Sequence, residues 1–260
     1  LSLLFFVGNT NLKTFFSRKP TNFFEQKKIQ DLDLRKEIDR LLKKLNPKRI
    51  EVFSVRKDLD PGLKNWFDFK KFDYKFWSLE EITKISSSFF QITNLYQEFG
   101  LDRFLNILGA SEIFVERDFL IIDLGTCTTV TGVHFDSKVK EKNHYTLLEN
   151  LIFPGIEKQI NSLKQVKALE RATKIDDLNL SLRKTLEQKT LSTQQSILQG
   201  QLSFIFSLIK KYQQENYQVI LTGGFSKIFL GTSKIKIQQN LFLGGYFTLE
   251  NLSKNLSIER

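Results

Sequence analysis

A single cysteine, Cys127, leaves no room for a disulfide framework or a zinc knuckle, and it fits a reducing compartment such as the cytoplasm. The two histidines, His134 and His144, fall into no metal-binding spacing and read as surface or strand residues. Long apolar runs are also missing: none reaches the roughly 20 residues that a membrane span requires. A membrane partner is therefore not expected. The first apolar run, Leu3 to Val7, lacks a basic flank and a small-residue cleavage site, so it does not read as a signal peptide. Coiled-coil heptads and low-complexity tracts are absent as well.

What is present suits a globular protein. The 260 residues are 41% hydrophobic and 26% charged, enough to bury the core of one large domain or two lobes. Lys and Arg number 39 against 29 acidic residues, a net charge of +10 that would tolerate an anionic partner. The lysines are spread along the chain, with modest clusters only at Lys43 to Arg49 and Lys138 to Lys142. No zinc-finger spacing, basic zipper or aromatic RNA-binding strand accompanies them, so nucleic acid is not the expected partner.

Strands and helices alternate. Leu3 to Val7 and Leu12 to Phe16 read as strands on either side of the polar turn Gly8-Asn9-Thr10-Asn11. The spacing of Leu32, Leu34, Ile38, Leu41, Leu42 and Leu45 predicts a helix over 31–45, and Ile50 to Val55 alternates like a strand. Lys57 to Phe76, with Pro61-Gly62, reads as an elaborated loop region. Helices are predicted after Ser78, over Asp102 to Ala110, from Pro154-Gly155 to about Leu169, and over Thr193 to Tyr212. Phe119 to Leu124, Val130 to Phe135 and Val219 to Leu221 read as strands, the last running into Thr222-Gly223-Gly224. The boundary falls near residue 117, giving domains 1–117 and 118–260.

One pattern occurs twice. Leu4 to Thr10 can be laid over Ile121 to Cys127, each an apolar strand that breaks at a glycine into short polar residues and returns as a second strand. Glycine lets backbone N–H groups approach a ligand, and Asn or Thr adds short donors. Two such turns, one per half, point to similar lobes that together cradle a polyphosphate. Each turn alone is equally well an ordinary hairpin.

These residues resemble the type III pantothenate kinase family of the actin-like sugar-kinase superfamily. Val7-Gly8-Asn9-Thr10-Asn11 resembles its first phosphate motif, Asp-Val-Gly-Asn-Thr-Asn, and Asp123-Leu124-Gly125-Thr126-Cys127-Thr128-Thr129 its second. Gly100-Leu101-Asp102-Arg103 resembles the Gly-x-Asp-Arg substrate motif. Pro154-Gly155, Thr193 with Gly200 seven residues on, and Thr222-Gly223-Gly224 follow in the family's order. The resemblance implies an α/β fold of two similar actin-like, ribonuclease-H-like lobes with a nucleotide cleft between them. It implies ATP-dependent phosphorylation of pantothenate in the first step to coenzyme A, with Mg²⁺, a monovalent cation (K⁺ or NH₄⁺) and a homodimer. By motif, Asp102 is the general base. Val7, Gly8, Asn9, Thr10, Asn11, Leu12, Lys13 and Thr126 lie against ATP. Tyr96, Gly100, Leu101, Asp102, Arg103 and Thr193 bind pantothenate, and Asp123 binds the monovalent cation. Asp102 and Thr193 would serve equally as residues of helix starts.

Two departures stand out. Phe6 occupies the place of the family's Mg²⁺-associated aspartate, and Mg²⁺ demands oxygen ligands. Asn150 and Leu151 replace the glycine pair that precedes Pro154-Gly155. They raise the alternative of a catalytically impaired paralogue that binds a ligand or regulates.

Overall fold

The structure, a computed structural model, describes residues 2–8, 11–18, 21–28, 34–87, 90–95, 99–138, 143–174, 178, 181, 184–185, 192–230 and 235–258. They form two β-sheets with helices packed on them. The N-terminal sheet has five strands: β1 (Ser2–Val7), β2 (Asn11–Arg18), β3 (Thr21–Lys28), β4 (Arg49–Ser54) and β5 (Tyr74–Phe76), in the order β3-β2-β1-β4-β5. β1, β2 and β3 are an antiparallel meander, whereas β4 runs parallel to both β1 and β5.

Six strands make the C-terminal sheet: β6 (Phe90–Thr93), β7 (Phe119–Leu124), β8 (Cys127–Phe135), β9 (Asn143–Pro154), β10 (Gln218–Thr222) and β11 (Lys236–Ile237). Their order is β11-β10-β7-β8-β9-β6. Read from β9, the series β9-β8-β7-β10-β11 repeats the N-terminal order, with the same antiparallel meander and the same parallel pair of added strands. The echo between residues 4–10 and 121–127 is therefore one corner of a repeated architecture.

Each sheet buries one face under two helices. Leu3, Phe5 and Val7 of β1 meet Ile38, Leu41 and Leu42 of α1 (Leu34–Leu45) and Leu63 and Phe67 of α2 (Asp60–Phe69). Leu120, Ile122 and Leu124 of β7 meet Ile156 and Ile160 of α5 (Ile156–Ser162) and the Leu198, Leu202, Ile205, Ile209 stripe of α6 (Thr193–Gln214). These are the alternating strand residues and the i, i+4, i+7 helix residues that periodicity requires to face one another. Further helices among the described residues are α3 (Leu79–Ser86), α4 (Leu101–Ser111) and α7 (Leu241–Ile258).

Several readings of the sequence change. Residues 57–76 are not a loop: α2 and β5 lie there, because Pro61 sits in the first turn of α2, where a missing N–H costs nothing. The helix after Pro154 stops at Ser162 and continues only as 3₁₀ turns over Leu163–Gln165 and Lys167–Leu169. The chain divides into two compact units, residues 1–85 with 98–102 and residues 86–97 with 103–260. The sequence reading put the boundary near 117 instead. β6 pairs with β9, and α4 from Arg103 onward bonds to β9 and β7, which draws both into the second unit.

Candidate functional site

In the first unit, β1 leads into the glycine turn. The Gly8 N–H donates to the Asn11 carbonyl at 3.0 Å, and Val55, just past β4, donates to the Val7 carbonyl at 3.0 Å. Val7 and Leu12 pair across the hairpin with buried side chains, so they can offer a ligand only backbone groups. Asn11 and Lys13 are on β2, Lys13 opposite Phe6. Asn9, Thr10 and Tyr96 lie outside the described residues.

Phe6 is 8% exposed and belongs to an aromatic ladder. Its ring stacks on Phe53 at 5.0 Å, and Phe53 stacks on Trp77 at 5.7 Å. The Lys75 ammonium lies 3.6 Å from the Trp77 ring centre, and the Trp77 indole donates to Glu51 at 2.9 Å. Residue 6 is a packing position here. Mg²⁺ does not fit it, and no cluster of three His, Cys, Asp or Glu side chains able to hold a metal occurs among the described residues.

The second unit builds a different corner. Gly125 donates to the Cys127 carbonyl at 3.2 Å, and Gly155 donates to the Thr126 carbonyl at 3.1 Å. A Cβ on Gly155 would lie 2.4 Å from the Gly125 oxygen, so the approach of α5 to this turn requires glycine. Gly223 has φ +86°, and a Cβ there would stand 2.4 Å from an Asp123 carboxylate oxygen. The Gly125 turn, the Pro154-Gly155 turn and the Thr222-Gly223 turn thus converge on the end of β7.

Asp123, next to last in β7, accepts a hydrogen bond of 3.2 Å from the amide of Asn106 on α4. Asn106 is 3% exposed, and its Oδ1 is buried with no hydrogen-bond partner among the described residues. An orphaned amide oxygen beside a carboxylate, walled by glycine backbone, is an all-oxygen donor set that suits a hard cation. Sequence reading passed over Asn106. The signal was available: it is the one polar residue in the run from Phe104 to Leu108, one helical turn beyond Arg103.

Gly100 precedes α4, Leu101 is buried at its first turn, and Asp102 is exposed there. Arg103 donates from Nη1 to the side-chain oxygen of Asn150 on β9. Thr193 is exposed at the first residue of α6. The cap of that helix is Ser192, whose hydroxyl accepts from the Gln195 N–H at 3.3 Å while Gln195 answers at 2.7 Å. Capping therefore does not account for the Thr193 hydroxyl.

The sequence profile described as type III pantothenate kinase matches residues 2–215. The chain belongs to the type III pantothenate kinase family. Among relatives of that name, the protein of Francisella tularensis subsp. holarctica (strain OSU18) is 31% identical over 138 residues, 51% of this chain and 49% of its own length. In such first matches the chain spans about half the length of the relative. The type III pantothenate kinase of Christiangramia forsetii is 27% identical over 265 residues, 97% of this chain and 96% of the relative.

Solved structures agree on the fold. A Campylobacter jejuni protein described as a Baf family transcriptional activator superposes with a TM-score of 0.57 at 19% identity, covering 98% of this chain and 99% of its own. A 2-dehydro-3-deoxygalactonokinase protein from Sinorhizobium meliloti gives 0.52 at 10% identity, with 98% and 96% covered. The chain thus has the α/β fold of these two structures, its two sheets built on one strand order.

Proposed function

We propose that this chain phosphorylates pantothenate with ATP, giving 4'-phosphopantothenate and ADP on the way to coenzyme A. The observation that carries the reading is the family match over residues 2–215, within which Asp102 and Arg103 stand together at the start of α4. Asp102 takes the proton of the acceptor hydroxyl as that oxygen attacks the γ-phosphorus and the bond to the β-phosphate oxygen breaks. Arg103, with Gly100, Leu101, Tyr96 and Thr193, holds pantothenate. The backbone of residues 7–13 and Thr126 hold ATP.

Asp123 is assigned to K⁺ or NH₄⁺, and the buried Oδ1 of Asn106, without a hydrogen-bond partner among the described residues, supports that assignment. Position 6 offers no ligand, so Mg²⁺ is assigned to the phosphate oxygens of the nucleotide. The cytoplasm is the proposed location, supported by the unpaired Cys127. Among the described residues no helix is long and apolar enough to cross a membrane.

A homodimer is proposed through α6. Thr193, Ser196, Gly200, Ser203 and Ser207 form an exposed stripe of small residues on which a second helix can pack closely.

The test is a coupled assay of the purified protein with pantothenate, ATP, Mg²⁺ and K⁺, each ion varied. Phosphopantothenate formation that depends on K⁺ or NH₄⁺ supports the reading. A folded sample that forms none across those conditions overturns it.

A further inference from the structure

We infer that α7 sets the position of the base Asp102 by holding α4 through one glycine on each helix, an inference that rests on the pantothenate kinase reading. Every residue of α4 from Phe104 to Ser111 is buried, whereas in its first turn Asp102 is exposed and Arg103 half-buried. The helix is a buried rod whose tip carries the acceptor residues. Its faces are held in two ways. Arg103 and Asn106, three residues apart and so on one face, bond to Asn150 of β9 and Asp123 of β7. Asp102, Leu105 and Gly109 follow the i, i+3, i+7 spacing of the adjoining face, and α7 crosses there. A Cβ on Gly245 of α7 would stand 2.0 Å from the Leu105 carbonyl oxygen and 2.8 Å from its carbon. One on Gly109 would stand 2.4 Å from the Leu241 oxygen and 3.0 Å from the Gly245 nitrogen. Backbone thus meets backbone with no side chain between. Gly244, next to Gly245, is exposed, and a Cβ there would meet the Gly109 Cα at an ordinary 3.5 Å.

A contact between two backbones has no rotamer that can yield, and a close-packed interior passes a displacement on. Leu105 lies one turn from Asp102 on the same face, so a push on its carbonyl is carried to the tip of the helix. Alanine at 245 brings its Cβ to 2.0 Å from that oxygen, and about 1 Å or more of opening is needed to relieve it. A base must stand within hydrogen-bond reach of the hydroxyl it deprotonates. A misplacement of about 1 Å costs a catalytic group up to about 10²-fold in rate. Gly245 touches neither substrate in this reading and acts through Asp102, which makes it a positioning residue.

Steady-state kinetics separate positioning from packing. They are measured with pantothenate and ATP on wild type, Gly245→Ala, Gly244→Ala, Asp102→Asn, and Gly245→Ala combined with Asp102→Asn. The temperature is one at which melting curves show each protein folded. Gly245→Ala should lower kcat about 10- to 100-fold and leave the KM for ATP unchanged, and Gly244→Ala should match wild type. In the Asp102→Asn background Gly245→Ala should lower kcat by less than about twofold, because the group it displaces is already gone. A purely structural role would give the same loss in both backgrounds. If Gly245→Ala does not fold, Leu241→Ala takes its place with the same expectation, since it removes the α7 side chain that borders Gly109. Wild-type kcat in the folded variant, or equal losses in both backgrounds, would overturn the inference while the kinase reading stands. A folded wild type that forms no phosphopantothenate would overturn the kinase reading and the inference with it.

Discussion

Phe6 and Asp123 hold equivalent places in the two hairpins, yet one is stacked on the ring of Phe53 and the other is boxed by glycine backbone and an amide. The sequence showed the substitution but not its company, because Phe53 and Trp77 reach Phe6 only through the β1-β4 pairing and the residue after β5. Replacing Phe6 by Asp removes a stacked ring and puts a carboxylate among apolar groups. A loss of about 3–5 kcal/mol is expected on chemical denaturation. Unchanged stability would show that residue 6 is not packed in this way. Asp102 presents the opposite case, since its side chain is exposed at a helix start. Asp102→Asn should keep the melting temperature and lower kcat by about 10²–10⁴-fold, the usual contribution of a general base. Full turnover in that variant would remove Asp102 from the role.

Elements whose apolar residues follow one period were legible: β1, β4, β7, β10, α1, α4 and α6 lie within a few residues of their expected places. Those missed lack a clean period or carry misleading punctuation. β9 mixes Glu149 and Asn150 into an apolar run and carries a register shift opposite Gly132/Val133. α7, a segment for which the sequence analysis names no element, contains Gly244-Gly245, a pair that serves a helix crossing. A Cβ on Gly245 would lie 2.0 Å from the Leu105 carbonyl oxygen of α4, and one on Gly109 would lie 2.4 Å from the Leu241 oxygen. Gly245→Ala should therefore cost about 1–3 kcal/mol, read from denaturant midpoints, by forcing backbone apart. A neutral outcome would mean that the two helices can separate freely.

Charge rather than glycine ties β3 to α1. Arg40 bonds to Glu37 through Nε at 3.0 Å and reaches Glu25 at 2.6 Å, while Lys27 lies 2.8 Å from Glu37. Arg40, and then Lys27, hold the Glu37 carboxyl below its ordinary 4.5 against the opposing effect of burial. Because the folded value is the lower one, this stabilisation is complete above the unfolded value and fades as pH falls through the folded value. Glu37→Gln should thus be less stable than wild type at neutral pH by about 1 kcal/mol, the partners being part-exposed. The two should converge as pH falls below the folded value. A gap that persists in acid would assign the difference to packing instead.

At the scale of the whole molecule, one strand order occurs twice, and the sequence revealed it only where turn chemistry repeats, at residues 8–11 and 125–127. The outer strands β3, β5 and β11 have no matching residue types because edge strands answer to their own surroundings more than to a ligand. A different surface question is posed by Gly200. A mid-helix glycine costs about 1 kcal/mol relative to alanine. Among the described residues nothing asks for it: a Cβ at Gly200 would meet none of their atoms within 4 Å. In an isolated chain Gly200→Ala would accordingly stabilise α6, and even Gly200→Leu would be accommodated. If a second copy packs its own helix on the Thr193 to Ser207 stripe, the larger side chain stands where that helix must approach. Light scattering behind size exclusion should then show wild type as a dimer and Gly200→Leu as a folded monomer. A Gly200→Leu protein that stays dimeric and melts higher would move the interface away from α6, and the glycine would be left without a structural reason.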